Sequence, residues 1–221
     1  MNKFEKMFNP NGLLVPDRIP LGSALRVPKR FEAPPELILD GYCTPVEDQG
    51  SKPWCAAYSA TNFAESVLWR VNGYRTDIDP GPVYWHAKSI DGDPSGDGTY
   101  LECALRGLVA RGHFGDACEV RTLRSLDEVK YAVHRYGCCV AGFSITPEWY
   151  SPKGAVIRGT VKGEEGGHAV TIVGYDPDGV LVLNSWGRDY ARDGKVYMTN
   201  RAFGDQFIYG AVLTNVLDGL K

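Results

Sequence analysis

One cysteine, one histidine and one asparagine in this sequence have the side chains and surroundings needed for nucleophilic catalysis. Cys55 follows a Gln-Gly turn at the head of an alanine-rich helical pattern, and His168 follows a Gly-Gly pair at the start of a strand pattern. Asn184 lies beyond a predicted hairpin that returns the chain to His168. A thiol nucleophile needs a base that takes its proton and a group that orients the base. An asparagine amide orients an imidazole without adding a charge.

Gln49 and Trp186 would complete such a site. Gln49 stands on the turn before Cys55, so its side-chain N–H and the Cys55 backbone N–H are placed to stabilise an oxyanion. Trp186 follows the asparagine and would shield the His168–Asn184 contact from water. The glycines before His168 leave room for something to approach closely.

A structural role is the alternative for each of these residues. Most cysteines are buried packing residues without chemistry, and Gln-Gly pairs are frequent in turns. The stretch from Asn184 to Gly187 is equally consistent with a strand-end turn that carries a core tryptophan. We interpret the three remaining histidines as surface or packing residues: His86, His113 and His134.

Metal and cofactor sites have little support in the sequence. No C-x-x-C pair is present, which argues against a structural zinc site. Glu164 and Glu165 precede His168, but a Gly-Gly pair follows them directly, which is typical of a solvated loop. We therefore expect no metal and no cofactor.

A central helix must position Cys55. Ser51 is predicted to cap this helix and Pro53 suits its first turn. Apolar residues at helical spacing follow as far as Asn72-Gly73. Cys55 thus falls in the first turn, where the helix dipole and the unpaired N–H groups favour a thiolate.

Helical patterns fill the first half of the chain and strand patterns the second. Ser125 and Glu128 form a predicted capping box, and Gly137 is a fitting helix stop. Further helices are predicted at about 82–89, 99–112 and 125–137. Strands are predicted from β-branched and aromatic runs, with a turn at 176–179, at 138–145, 168–175, 180–186, 195–199 and 207–214. This order indicates an α+β protein with a cleft between its two halves.

The first 36 residues are punctuated by prolines and show no sustained periodicity. One interpretation is an extended segment strapped over the surface. The other is a regulatory segment that crosses the active site, because long segments without secondary structure are often functional.

Composition narrows the partners and the compartment. The net charge of −3 and the pI near 5.8 argue against nucleic acid and against anionic membranes as partners. No apolar run is long enough to cross a bilayer, and the first residues carry charges where a secretory signal needs an apolar core. We expect a monomer with reduced cysteines, cytoplasmic or exported without a classical signal peptide.

Three ordered blocks resemble the signature blocks of papain-like cysteine peptidases: PVEDQGSKPWCAAYSA (45–60), GGHAVTIVGYD (166–176) and LVLNSWG (181–187). The resemblance covers about residues 35–215. It implies a papain-like two-subdomain α+β fold with the active site in the cleft between the subdomains. The helical N-terminal subdomain would span about residues 50–125. A β subdomain, formed by an antiparallel sheet or a barrel-like arrangement, would span about residues 126–215, and both would lie within a peptidase domain of residues 37–221.

The resemblance also implies roles for residues of this sequence. Cys55 would be the nucleophile, His168 the base and acid, Asn184 the orienting group and Gln49 the oxyanion donor. GTYLECALRGLVARG (98–112) resembles the glycine-containing loop of the family and the helix after it. The implied substrate-binding residues are Gly98 and Thr99, which would pair with substrate backbone, and Tyr100, Leu101 and Ala169, which would line an apolar pocket for the second substrate side chain.

Four positions depart from the family pattern. Lys52 replaces a disulfide-forming cysteine, and Ala56 replaces a tryptophan. Trp54 stands where the family has a small residue and would narrow the cleft, and Thr99 replaces a glycine and would crowd a bound peptide. The residues before Cys55 do not resemble the long inhibitory propeptide of the family, so we expect residues 1–36 to take over its task, which would make the protein a zymogen.

The leading function is therefore a cysteine-type endopeptidase acting on peptides or proteins. The alternative is a catalytically silent papain-like module that binds a peptide or protein partner, suggested by Trp54 and Thr99. Amidase or transglutaminase chemistry is disfavoured, because those related folds more often orient the histidine with aspartate than with an asparagine such as Asn184.

Overall fold

The protein is described by a computed structural model that covers residues 3–7, 9, 12–17 and 24–216. The helices in this part of the chain are α1 (Lys3–Met7), α2 (Cys55–Asn72), α3 (Pro80–Ile90), α4 (Leu101–Ala110), α5 (Leu126–Tyr136) and α6 (Asn200–Gln206). The strands are β1 (Leu37–Ile38), β2 (Glu119–Leu123), β3 (Cys139–Ile145), β4 (Val156–Ile157), β5 (Gly166–Tyr175), β6 (Gly179–Leu183), β7 (Lys195–Thr199) and β8 (Phe207–Thr214). Short 3-10 turns lie at Asp40–Tyr42, Pro147–Tyr150 and Lys153–Ala155.

The strands form one open sheet in the order β2-β8-β3-β5-β6-β7-β4, and β1 pairs with β5. Neighbouring strands are antiparallel, except that β4 and β7 are parallel. The long strand β5 lies between β3 and β6 and is buried from His168 to Tyr175. The sheet therefore ends in the two edge strands β2 and β4 and is open; of the two forms that the resemblance implied for the β subdomain, an antiparallel sheet or a barrel-like arrangement, it is the sheet.

Helix α2 is the central helix and is buried from Cys55 to Leu68. Its alanines allow close packing against β5, where the Thr171 hydroxyl donates to the Ser59 carbonyl at 2.9 Å. The helix ends at Gly73, which has φ 76° and donates its N–H to the Trp69 carbonyl. This packing brings the first turn of α2 to the strand that carries His168.

The predicted cap of α2 is wrong in one respect. The helix begins at Cys55 with Trp54 at the N-cap and no side-chain cap, so Ser51 does not start it. The reason is a local turn in which the Lys52 N–H donates to the Gln49 carbonyl at 3.2 Å. Cys55 nevertheless lies in the first turn, as predicted.

The other predicted helices are present with shifted ends. Helix α5 has its capping interactions: the Glu128 N–H donates to Ser125 Oγ at 3.2 Å, and Gly137 ends the helix with φ 98°. Helix α3 begins earlier than predicted because Asp79 caps it by accepting from the Gly81 N–H at 2.9 Å. Strand β2 and helix α6 were not predicted.

No helix in the described ranges combines the length and the apolar character that a membrane span requires.

Candidate active site

The hairpin of β5 and β6 brings His168 and Asn184 together, as the sequence predicted. Its turn closes with the Asp176 N–H donating to the Gly179 carbonyl at 3.0 Å. His168 Nε2 lies 2.8 Å from Asn184 Oδ1, and both residues are fully buried. Asn184 Oδ1 also accepts from the Ser185 N–H at 2.8 Å. Because an amide oxygen is an acceptor, Nε2 carries the imidazole proton, and Nδ1 is the basic nitrogen of the ring.

Trp186 covers this pair, again as predicted. Its ring centroid lies 4.8 Å from that of His168 with the planes tilted by 31°, and Trp186 is fully buried. Trp149 meets the imidazole edge-on at 6.1 Å. The two indoles keep water from the hydrogen bond and so strengthen it.

Cys55 is the first residue of α2 and is fully buried. Its sulfur accepts hydrogen bonds from the backbone N–H groups of Ala169 and Ala56, and Ala169 follows His168 directly in β5. Burial raises the pKa of the Cys55 thiol to about 12, although these hydrogen bonds act to lower it. Burial also lowers the pKa of His168 to about 4, and the hydrogen bond to Asn184 acts in the opposite direction. In this conformation both groups are neutral at physiological pH.

The N-terminal strap, defined as the described residues 3–7, 9 and 12–17, crosses the site. A Cβ on Gly12 would lie 2.8 Å from the Cys55 sulfur, so the strap backbone rests on the thiol. The Leu14 N–H donates to the Thr99 carbonyl at 3.1 Å, and Leu13 forms a parallel bridge with Thr99. The substrate-binding backbone implied by the resemblance is therefore in contact with the strap.

Leu13 fills an apolar pocket beside the thiol and is 4% exposed. Its side chain would meet a Cβ on Gly142 at 2.6 Å, and its carbonyl would meet one on Gly167 at 3.1 Å. The same Gly142 position lies 3.8 Å from Leu101 Cδ1. The close approach expected at the glycines before His168 is thus made by the strap.

Gln49 is held on the turn before α2 and is 2% exposed. Its Oε1 accepts from the Ser185 hydroxyl at 2.6 Å, and its Nε2 donates to the Lys52 carbonyl at 3.0 Å. The backbone N–H of Gln49 donates to the Ser185 carbonyl at 2.9 Å. Ser185, which the sequence did not single out, therefore ties Gln49 to the segment that carries Asn184.

A buried ion pair holds the backbone at Gly98 and Thr99 in place. Lys88 Nζ lies 2.8 Å from Asp91 Oδ2, with side-chain exposures of 2% and 0%, and donates to the Gly98 carbonyl at 3.0 Å. Burial acts to raise the pKa of Asp91, but hydrogen bonds from Lys88, the Asp93 N–H and Thr99 lower it below its usual value. The Thr99 side chain thus contacts Asp91, and the Thr99 carbonyl contacts the strap. Lys88 was not predicted; its position four residues after Tyr84, on the buried face of α3, was the available signal.

The Trp54 ring lies on helix α3. It stacks on Tyr84 with centroids 5.0 Å apart and an interplanar angle of 25°, and it meets Trp85 edge-on at 5.9 Å. Lys52 Nζ lies 4.5 Å from the Trp54 centroid on the ring face. Lys52 and Trp54, two of the residues that depart from the family pattern, therefore contact each other, and Trp54 also packs on α3.

The remaining residues of the implied pocket lie at the start of α4 and in β5. Tyr100 is the half-buried N-cap of α4, and Leu101 and Ala169 are fully buried. The Leu101 N–H donates to the Tyr209 hydroxyl at 3.0 Å. Tyr209 was missed because its strand pattern indicates only packing.

The described residues include an acidic cluster apart from Glu164 and Glu165, and these two glutamates are exposed, as expected of a solvated loop. Carboxylate oxygens of Glu47, Glu65 and Asp77 lie within 4.8 Å of one another. Burial and the neighbouring acids raise the pKa of Glu47 to about 8, and burial raises that of Glu65 to about 7. These two carboxyls therefore keep their protons to a higher pH than ordinary glutamates do.

Comparisons with known sequences match this arrangement. A sequence model of the family described as papain family cysteine protease matches residues 109–209, a range that includes His168 and Asn184 but not Cys55. The chain is 23% identical to procathepsin L of Felis catus over 192 residues, 72% of this chain and 58% of that protein. It is 30% identical to cathepsin B-like cysteine proteinase 3 of Caenorhabditis elegans over 109 residues, 47% of this chain and 29% of that protein. The chain thus spans less than two thirds of these two relatives.

A solved structure has the same fold. Xylellain, a cysteine protease from Xylella fastidiosa, matches with a TM-score of 0.72 at 19% identity, covering 92% of this chain and 96% of that one. The papain-like α+β fold predicted from the sequence is confirmed by this likeness. The resemblance to the papain family is likewise confirmed by the family match, which spans the blocks at 166–176 and 181–187 and not the block at 45–60.

Proposed function

The chain is a relative of the papain family of cysteine proteases, and the comparisons support a thiol protease; from this premise we propose that it is a cysteine-type endopeptidase held latent by its N-terminal strap. The observation that carries the proposal is the 2.8 Å contact of His168 Nε2 with Asn184 Oδ1 beneath Trp186. It lies beside a cysteine whose sulfur contacts the backbone of the residue after His168.

The proposed reaction follows from this geometry. His168 Nδ1 takes the Cys55 proton, and the thiolate attacks the carbonyl carbon of a peptide bond. The backbone N–H of Cys55 and the second amide hydrogen of Gln49 stabilise the oxyanion. The imidazolium then donates its proton to the leaving amine, and water hydrolyses the thioester with His168 again as base. Asn184 keeps the ring in the productive tautomer throughout.

Latency is supported by the path of the strap. Gly12 lies over the sulfur, Leu13 fills the apolar pocket, and Leu14 binds the Thr99 carbonyl. A substrate needs the same three places. Burial under the strap also holds the pKa of the Cys55 thiol at about 12 and that of His168 at about 4, which opposes the thiolate–imidazolium pair.

The pocket around Leu13 indicates the substrate preference. Gly142, Gly167 and Leu101 leave an apolar space that holds a leucine side chain. We expect peptides with a leucine or a similar apolar residue as the second residue on the acyl side to be cleaved best once the strap is displaced.

Peptide hydrolysis by strap-weakened chains tests the proposal. Leu13→Ala should hydrolyse a fluorogenic peptide with leucine at the second position, and adding Cys55→Ala should abolish hydrolysis. Cys103→Ala is the matched control, since Cys103 is half-buried on α4, and it should leave the rate unchanged. Equal hydrolysis with and without Cys55 would refute the peptidase. Hydrolysis by neither chain, with Cys55 accessible to a thiol reagent, would favour the peptide-binding alternative.

A further inference from the structure

One face of helix α3 contacts both the turn before Cys55 and the loop at residues 98–99. Tyr84 and Lys88 lie one helical turn apart on this face, and each is 2% exposed. The Tyr84 ring stacks on Trp54 with centroids 5.0 Å apart, and Trp54 directly precedes Cys55 in the chain. The same helix therefore contacts the segment that carries the nucleophile and the loop that would pair with substrate.

The backbone N–H and the backbone carbonyl of Gly98 both bind to this face. Burial raises the pKa of the Tyr84 hydroxyl above its usual value, and a hydrogen bond from the Gly98 N–H acts against this shift. The Gly98 carbonyl accepts from Lys88 Nζ at 3.0 Å. Gly98 has φ 72°, a conformation that residues with a side chain rarely adopt. The two side chains thus hold the loop at a residue where its backbone turns.

We propose that Tyr84 and Lys88 are positioning residues of the peptidase, which hold the backbone of residues 98–99 in fixed register with Cys55 so that a substrate can pair with it. The inference rests on the proposed peptidase function, because that function makes residues 98–99 the surface for the acyl side of a peptide. The proposed reaction uses neither side chain directly, so each acts through the Gly98 backbone.

The Lys88 ammonium is itself held by a carboxylate. Its Nζ lies 2.8 Å from Asp91 Oδ2, and the Asp91 side chain is 0% exposed. Asp91 Oδ1 accepts from the Asp93 N–H at 2.9 Å. A displacement of either charged group would leave its partner unpaired in a low-dielectric interior, which is costly. The Gly98 carbonyl therefore meets an ammonium whose position is fixed.

The position of Gly98 determines that of the Thr99 carbonyl. Consecutive Cα atoms lie about 3.8 Å apart across a planar peptide bond, so a shift of one residue moves the next. The Thr99 carbonyl accepts the Leu14 N–H at 3.1 Å, so this carbonyl is placed to pair with an extended chain. A substrate would keep such a contact from binding through the transition state. Loss of the positioning residues should therefore raise KM more than it lowers kcat.

Peptide kinetics in the Leu13→Ala chain test the positioning role. Tyr84→Phe removes one hydroxyl and keeps the ring on Trp54, and Lys88→Met removes the ammonium. We expect each to raise KM about threefold to tenfold for a fluorogenic peptide with leucine as the second acyl-side residue, and to change kcat by less than about twofold. Tyr74→Phe is the matched control, since Tyr74 is 63% exposed, and it should keep KM. An unchanged KM in Tyr84→Phe would overturn the proposal.

A substrate that does not reach the loop separates positioning from damage at the nucleophile. p-Nitrophenyl acetate acylates a reactive thiol but has no backbone that could pair with residues 98–99. We expect Tyr84→Phe to lower the ratio of peptide to ester kcat/KM at least about threefold. An unchanged ratio, with both substrates affected equally, would place the defect at Cys55 and overturn the positioning role.

Amide hydrogen exchange in the full-length parent chain tests the contact without catalysis. Tyr84→Phe removes the acceptor of the Gly98 N–H, so this amide should exchange at least about fivefold faster than in the parent chain. The Ala87 amide, inside α3, is the internal reference and should keep its rate. Two-dimensional NMR follows both amides, and unchanged exchange at Gly98 would overturn the hold of Tyr84 on the loop.

These measurements separate the positioning role from the peptidase. Cleavage with the same KM in Tyr84→Phe and its parent would overturn the positioning role and leave the peptidase standing. Faster Gly98 exchange in Tyr84→Phe, together with no hydrolysis of peptide or ester by the Leu13→Ala chain, would support the hold on the loop and contradict the peptidase.

Discussion

The hydrogen bond between His168 and Asn184 decides which imidazole nitrogen carries the proton and leaves Nδ1 as the basic nitrogen. Asn184 Oδ1 accepts from the Ser185 N–H as well as from His168 Nε2, so the amide has one orientation. The sequence predicted this pair because a hairpin turn at 176–179 returns β6 to the start of β5. Ser185 holds Gln49, and the Tyr190 hydroxyl faces the Asn184 amide. Neither role was predictable, because each depends on a contact that the sequence pattern does not show.

Replacing Asn184 tests its orienting role. Asn184→Ala leaves His168 Nε2 as a buried donor without its acceptor, which costs about 1–3 kcal/mol of unfolding free energy. We expect kcat of the Leu13→Ala chain to fall by at least tenfold with little change in KM. The His168 pKa should fall further below its usual value, because the Asn184 bond raises it. NMR titration of His168 and peptide kinetics measure both; an unchanged pKa and kcat would contradict the role.

The ionisation of Cys55 should depend on the strap. With the pKa of the thiol raised to about 12 by burial, the thiolate is scarce at neutral pH, since pH must rise towards the pKa to form it. We expect alkylation of Cys55 by iodoacetamide to be slow in the parent chain from pH 5 to pH 9. In the Leu13→Ala chain it should be at least tenfold faster at pH 7. Mass spectrometry of the Cys55 peptide gives both rates, and similar rates would argue against burial by the strap.

At the scale of elements, periodicity predicted the helices and strands that bury one clear face. Helix α2 and strand β5 followed from their apolar patterns. Strand β2 was missed because its five residues mix the charged Glu119 and Arg121 with apolar residues at a sheet edge. Helix α6 was missed because its seven residues are too few for a helical period. The prediction that Ser51 caps α2 was wrong because Ser51 lies in the turn that the Lys52 N–H and the Gln49 carbonyl close.

Helix α3 supports the backbone at Gly98 and Thr99, the proposed substrate-binding backbone, through the buried pair of Lys88 and Asp91. Lys88→Met removes the partner of Asp91 and leaves a carboxylate buried, which should cost about 3–5 kcal/mol of unfolding free energy. Adding Asp91→Asn should restore part of the loss. Lys195→Met is the control: its pair with Asp40 is partly exposed at 3.8 Å and should cost less than about 1 kcal/mol. Denaturant unfolding of the variants checks the order, and equal losses for Lys88→Met and Lys195→Met would contradict the buried pair.

For the whole molecule, the buried acids should make stability depend on pH. Unfolded Glu47 and Glu65 lose their protons near their usual pKa of 4.5, whereas the folded carboxyls keep theirs until about pH 8 and pH 7. The unfolding free energy should therefore fall as pH rises from about 4.5 to about 8. Glu47→Gln should reduce this fall, so the variant should gain melting temperature over the parent at pH 8 and not at pH 5. Thermal unfolding at both pH values measures it; an equal change at both would contradict the assignment.

The sequence of the first 36 residues allowed two interpretations of their path over the protein. Prolines and missing periodicity indicated an extended segment, but nothing in its composition distinguished a surface strap from one that crosses the site. The contacts of Phe4, Gly12 and Leu13 favour the second interpretation for residues 3–7, 9 and 12–17. Residues 18–23 lie outside the described part of the chain. Features that depend on the residues of a single helix or strand were thus predictable from the sequence. The contacts between the strap and the cleft were not.

The labelling rate of Cys55 by a thiol-directed epoxide tests the central claim most directly. Leu13→Ala removes the side chain buried in the cleft, whereas Val15→Ala removes one that is 46% exposed in the same strap. Loss of a buried leucine weakens docking by about 2–5 kcal/mol, so we expect at least a tenfold faster rate for Leu13→Ala and an unchanged rate for Val15→Ala. Equal rates in the parent and both variants would contradict a nucleophile occluded by the N-terminal strap.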